Sequence, residues 1–169
     1  VTSIGQGAFS QATSLATVTF GEGSQLTSLG EGYSLLFYNT PKLKSIAIPP
    51  GVTSIADNAF KDVTVPSLTS VTIPDSVQTI GANAFKGATS LTTMTIPASV
   101  TSIANNAFQD ATSLATVAFG AGSQLAAIGL NTFHSTGLTS LTIPPAVTVG
   151  TNAFSGTTFA SDSTPPELA

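Results

Sequence analysis

The apolar positions of this chain fall in one recurring order, clearest over residues 68–90. Leu68-Thr-Ser-Val71-Thr-Ile73-Pro74 is followed by Asp-Ser-Val77-Gln-Thr-Ile80-Gly81, then by Ala-Asn83-Ala84-Phe85-Lys-Gly-Ala88. The next copy starts at Leu91 and sets Met94, Ile96, Pro97, Val100, Ile103, Ala107, Phe108 and Ala111 at the same points. Each of the three pieces predicts an element. Val71 and Ile73 alternate with Ser70 and Thr72, the period of two that marks a strand with one buried face. Pro49, Pro74, Pro97 and Pro144 end that strand, because proline has no N–H for the next rung of a ladder. Phe20-Gly21 and Phe119-Gly120 close it in two other copies. Val77 and Ile80, matched by Val1/Ile4, Leu26/Leu29, Val52/Ile55, Val100/Ile103 and Leu125/Ile128, predict a second extended segment that bends back over the core. Asn83-Ala84-Phe85 and its equivalents predict a helical or 3₁₀ turn that points Ala and Phe inward.

The returning phenylalanines are Phe9, Phe37, Phe60, Phe85, Phe108, Phe133 and Phe154, at spacings of 28, 23, 25, 23, 25 and 21. A period near two dozen residues is the mark of a stacked-repeat architecture. A single unit is too small to bury its own apolar side chains, so the core must come from stacking on neighbours. The phenylalanines are therefore predicted to be core, ring upon ring, and no cofactor box. Residues 1–30 and 100–129 are nearly the same sequence, 99 positions apart, which points to a duplicated block of several repeats. One segment, Glu31-Gly-Tyr33-Ser-Leu-Leu-Phe37-Tyr38-Asn39, lengthens the Ala-Phe turn. Insertions in solenoids bulge from one face and often carry contacts, which makes Tyr33 and Tyr38 candidates for binding; they could equally just cover the core there.

The pattern L-x-x-V-x-I-P-x-x-V-x-x-I-G-x-x-A-F-x-x-A resembles the BspA-like (Treponema pallidum type) leucine-rich repeat, over residues 1–159. The family's usual Cys, three residues after the Phe, is replaced here by Ala12, Ala88 and Ala111, with Val63 and Thr136 elsewhere. Small residues keep the packing and forfeit only thiol chemistry. The resemblance implies a right-handed β/α (3₁₀) solenoid of about six to seven repeats of 23–25 residues, curved, with strands on its concave face. It also implies cell-surface adhesion or protein recognition as the usual role. The chain opens at Val1-Thr2-Ser3-Ile4, already inside a repeat, and reads as a piece of a longer array. Residues 160–169 lose the repeat and read as a linker towards a following module. Within it, Asp162-Ser-Thr-Pro-Pro resembles the opening of an Ig-like or cadherin-like module of surface proteins.

Composition narrows the chemistry. Charged residues are 7% of the chain, roughly a third of the usual share, so solubility rests on Thr, Ser, Asn and Gln. Four Lys, no Arg and a net charge of -4 argue against a phosphate-backbone partner, and against binding to anionic lipid. No cysteine means no disulfide, thiolate metal site or Cys nucleophile. No apolar run reaches the ~18 residues of a membrane span. His134 is the single imidazole, with no Gly-x-Ser-x-Gly elbow to serve. Asp62 and Asp110 share a turn position, but no calcium loop or carboxylate pair surrounds them. Catalytic, metal-binding and cofactor-binding residues are therefore none by this reading.

The outward row of the first strand is the better lead. It carries Thr17, Thr19, Ser45, Ser70, Thr72, Thr93, Thr95, Thr116, Ser140 and Thr142, with Ala47 and Ala118 interrupting. Strands in register stand ~4.7–4.9 Å apart, so this row would form a nearly uncharged lattice of hydroxyls and methyls. Three readings stay open: simple β-propensity on a wet face, recognition of a protein or glycan along the surface, and binding of ice or a crystalline polysaccharide. The expected role is a non-enzymatic adhesion or recognition module of an extracellular or surface-attached multidomain protein. Its binding would vary little with salt, having few charges to screen.

Overall fold

The computed structural model describes residues 1–32, 34–63 and 68–157. Over them the repeats stack as a parallel β-solenoid, a repeat contributing up to two short strands and an outer turn. The second extended segments are β1 (Ser28–Leu29), β3 (Ser54–Ile55), β5 (Thr79–Ile80), β7 (Ser102–Ile103), β9 (Ala127–Ile128) and β10 (Thr148–Val149). They form one six-stranded parallel sheet in chain order. Its register sets Leu29, Ile55, Ile80, Ile103, Ile128 and Val149 in a single row. All of these are buried except Val149, which is half-buried. The first strands make two smaller parallel ladders: β2 (Ser45–Ala47) on β4 (Ser70–Thr72), and β6 (Thr93–Ile96) on β8 (Thr116–Phe119). Parallel in-register pairing follows from the repeat itself, because each strand is the same segment one turn further on.

The core lies between these sheets and the outer turns, and its spine is aromatic. Seven rings, from Phe9 to Phe154, stack with centroids 5.0–5.6 Å apart and planes within 10° of parallel. That spacing is the solenoid's own rise, so each ring meets the same ring of the next turn. The position three residues after the Phe is buried as expected at Val63, Ala88, Ala111 and Thr136. The Thr136 hydroxyl, which Ala lacks, donates to the Phe133 carbonyl at 2.9 Å.

The outer turn differs from the helical or 3₁₀ segment that the sequence predicts. No helix occurs among the described residues. Two kinds of bond alternate there. Ala84 and Lys86 donate their N–H groups three residues back, to Gly81 and Asn83. Asn83, Phe85 and Gly87 instead donate to Asn105, Ala107 and Gln109 of the next turn, at 3.0, 2.7 and 2.8 Å. Every second N–H is thus claimed by a neighbouring turn, and a continuous helix cannot form. The geometry requires left-handed backbone at two points, Asn83 (φ 54°) and Gly87 (φ 69°). Asn58, Asn106, Asn131 and Asn152 fill the first of these positions in other turns, because Asn tolerates this conformation far better than most residues.

Gly81 marks another close approach. A Cβ there would stand 2.7 Å from the Asp57 backbone nitrogen. Beside it, the Asp57 carboxylate accepts the Ala82 N–H at 2.7 Å, tying one turn to the next.

Candidate functional site

The alternation of the first strand decides which side chains reach solvent. Its aliphatic members Ile46, Val71, Met94 and Val117 are buried. All ten predicted hydroxyl positions, from Thr17 to Thr142, are exposed. Register then groups them. Ser45 stands opposite Ser70 and Ala47 opposite Thr72. Thr93 stands opposite Thr116 and Thr95 opposite Ala118. A parallel bridge between Val18 and Ile46 brings Thr17 and Thr19 alongside β2, and β4 and β6 are neighbours without ladder pairing. Ser140 and Thr142 lie apart from this arrangement, on a segment that joins neither ladder.

These hydroxyls are also unspent. Thr53, Thr69 and Thr101, on other parts of the repeat, give theirs to carbonyls of the preceding turn at 3.2 Å. Among the described residues, no hydrogen bond engages the ten hydroxyls of the row. The face therefore presents donors, acceptors and methyl groups at strand spacing, with no charged side chain among its outward strand positions.

The other candidates separate from this face. Tyr38 lies in the lengthened turn beside Phe37 and is 37% exposed, while Tyr33 lies outside the described residues. The three extra residues fit between Leu29, which keeps register with Ile55, and Phe37, which keeps its stack on Phe60. His134 is half-buried in an outer turn, with a buried Nδ1 that has no hydrogen-bond partner. Asp62 and Asp110 occupy left-handed positions (φ 53° and 60°), which accounts for the shared turn placement in backbone terms. Among the described residues no group of three or more His, Asp or Glu could hold a metal ion. No helix there is long and apolar enough to cross a membrane.

Sequence reasoning missed a second feature of the face. Open grooves sit beside Phe20 and Phe119, each walled by an Ile-Pro-Pro segment of the following turn. The available signal was a spacing. Six residues run from Phe20 to Leu26 and from Phe119 to Leu125, against four from Ile73 to Val77 or from Ile96 to Val100.

Residues 1–33 and 33–161 match the BspA type leucine-rich repeat region, in six copies. A comparison with curated proteins finds no match. A leucine-rich repeat protein of T. pallidum is similar at 26% identity and a TM-score of 0.70, over 90% of this chain and 63% of that one. One from Bacteroides ovatus is similar at 25% identity and a TM-score of 0.67, over 89% of this chain and 43% of the other. A leucine-rich cell surface protein of Faecalibacterium prausnitzii shares 31% identity with a TM-score of 0.53, over 95% of this chain and 48% of that protein. The chain thus spans less than two thirds of the length of each of these structures.

Proposed function

The chain belongs to the BspA-type leucine-rich repeat family, and from that premise we propose a non-enzymatic adhesion or recognition module that binds a protein or glycan ligand through its Thr/Ser face. The observation that carries this reading is the set of exposed, in-register hydroxyls with no intramolecular partner. A wet face chosen for β-propensity alone would still be free to use those groups within the fold, as Thr53 and Thr101 do. An extracellular or cell-surface setting agrees with the cell-surface description of the F. prausnitzii protein. Affinity per module would be modest, since each polar contact is weak, and engagement of many turns at once would supply the rest.

Binding to ice or a crystalline polysaccharide is the competing use of a Thr lattice. Ala47, Ala118 and the separation of the face into two ladders count against a flat, regular array. Thermal hysteresis at high protein concentration would restore it.

The test of the main reading is Thr93→Lys with Thr95→Lys, in a screen against glycans and host proteins. Both residues are exposed on β6, so the charges enter the face without entering the core. Capture should fall at least tenfold while the circular dichroism and melting curve stay put. Unchanged capture by the folded double variant would sink the proposal.

A further inference from the structure

The two grooves are one device built twice. Each begins with a loop two residues longer than its neighbours, Phe-Gly-x-Gly-Ser-Gln-Leu in place of Ile-Pro-x-x-Val. Gly120 is pressed onto the preceding turn, where a Cβ would stand 2.7 Å from the Ala98 nitrogen. The step left by the long loop therefore opens on the following turn, whose short loop is Ile143-Pro144-Pro145. There the segment 140–143 leaves the ladder of β8, and a groove of about 640 Å³ results. At the other copy, where Val18 still bridges Ile46 of the following turn, the open groove between residues 18–24 and 47–50 has about 530 Å³. The walls correspond position by position: Phe20 with Phe119, Ser24 with Ser123, and Ile48-Pro49-Pro50 with Ile143-Pro144-Pro145. Phe20 and Phe119 are only half-buried, unlike the stacked phenylalanines from Phe37 to Phe154.

Size, charge and duplication together select the occupant. Both volumes fall within the range of small-ligand sites. No ionisable side chain lines the larger groove, and Glu22 alone lines the smaller. The apolar ring and prolines meet hydroxyls at Thr116, Ser140 and Thr142 in the larger groove and at Thr19 and Ser24 in the smaller. A neutral sugar ring has that same division, a C–H face and a hydroxyl edge. A purely apolar peptide would strip water from those hydroxyls and leave them unpaired, which costs free energy. The grooves are four turns apart, at 5.0–5.2 Å per turn along the Phe spine, hence about 20 Å. A glycan chain presents one ring chemistry again and again along its length. A peptide would have to repeat its side chains at that one interval.

We propose that the grooves at Phe20 and Phe119 are paired subsites for a single neutral polysaccharide chain. This rests on the reading of the Thr/Ser face as a recognition surface and names its ligand class. Thr116 belongs to both features, so the groove adjoins the face.

The probes are neutral gluco-, manno- and galacto-oligosaccharides, each as a disaccharide and as a chain long enough to reach both grooves. At least one series should move the backbone amide resonances of Phe119, Gly120 and Thr142 together with those of Phe20, Gly21 and Ala47. Its long member should bind at least tenfold tighter than the disaccharide by calorimetry. Ala118→Glu and Ala47→Glu place a charged side chain in each groove from exposed positions, sparing the core. Either one should bring the long chain to the affinity of the disaccharide, and both together should abolish binding. Resonances that stay still with every sugar would overturn the inference, as would binding that survives both substitutions. Occupation of the grooves by an uncharged proline-rich peptide, in a protein deaf to the sugars, would overturn it too. Thr93 and Thr95 line neither groove. Capture that is lost on their replacement but indifferent to both Ala→Glu changes would therefore remove the paired subsites and leave the Thr/Ser face standing.

Discussion

Replacing Phe85 by Ala tests whether the stacked rings carry the solenoid. Phe85 is fully buried and sits between Phe60 and Phe108, at 5.0 and 5.2 Å with planes 4° and 6° from parallel. Removing a buried Phe side chain costs about 3–5 kcal/mol, through lost transfer free energy and the cavity left behind. Two ring contacts, each worth ~0.5–1.5 kcal/mol beyond area, place this site towards the upper end. Phe9 is the internal comparison. It is half-buried and has one ring partner, Phe37 at 5.2 Å. Losing one stack and part of the burial should cost on the order of 2 kcal/mol. The expected gap between the two variants is therefore about 2 kcal/mol.

Urea denaturation followed by far-ultraviolet circular dichroism measures that gap through the midpoint and slope of each transition. Phe85→Leu belongs in the series because a domain of ordinary stability has only about 5–15 kcal/mol to lose. It fills most of the cavity while removing the ring stack, so its cost should be about 1–2 kcal/mol, measurable even if Phe85→Ala does not fold. Nearest-neighbour coupling also predicts that an interior lesion broadens the transition more than one at Phe9. Equal costs at Phe9 and Phe85, or less than about 1 kcal/mol for Phe85→Ala, would refute the reasoning. The inter-turn hydrogen bonds would then hold the stack, with the rings as filler.

Two further substitutions probe the outer turn and the packing between turns. Asn83→Ala puts a Cβ without Asn's local hydrogen-bonding side chain into a left-handed position (φ 54°) and should cost about 1–2 kcal/mol in the same assay, whereas Asn83→Gly should come within a few tenths of the parent. Gly81→Ala drives a methyl to 2.7 Å from the Asp57 nitrogen and should cost about 1–3 kcal/mol, while Gly5→Ala, with nothing within 4 Å, should stay within about 0.5 kcal/mol.

Much of the fold was legible because a repeat states its contacts many times over. Ile80 and Ile103 hold the same place in successive units, and a stack in which like meets like must put them in register, as it does. The same logic made the phenylalanine spine and the exposure of Thr93 and Thr95 readable from alternation alone. The outer turn was misread as helical or 3₁₀ for a physical reason. The local bonds of a 3₁₀ turn are present at Ala84 and Lys86, but the alternating N–H groups go to another turn. No local pattern reports a bond to a residue more than twenty positions away, and the one clue was Asn recurring where the backbone turns left-handed.

The grooves were hidden by a related limit. Leu138-Thr-Ser-Leu141-Thr-Ile143-Pro144 carries the same strand pattern as Leu91-Thr-Thr-Met94-Thr-Ile96-Pro97, yet the latter pairs with its neighbour and the former leaves the ladder. The pattern of a segment does not report which adjacent turns pair: β6 pairs with β8 across loops of unequal length, while β4 and β6 carry loops of equal length and form no ladder. In a solenoid, identity between repeats builds the scaffold, and departures from it set individual turns apart. The places to look for function in such a chain are therefore the steps in its spacing. Two such steps fall at Phe20 and Phe119, four turns apart and alike in sequence, and a third lies between Leu29 and Phe37.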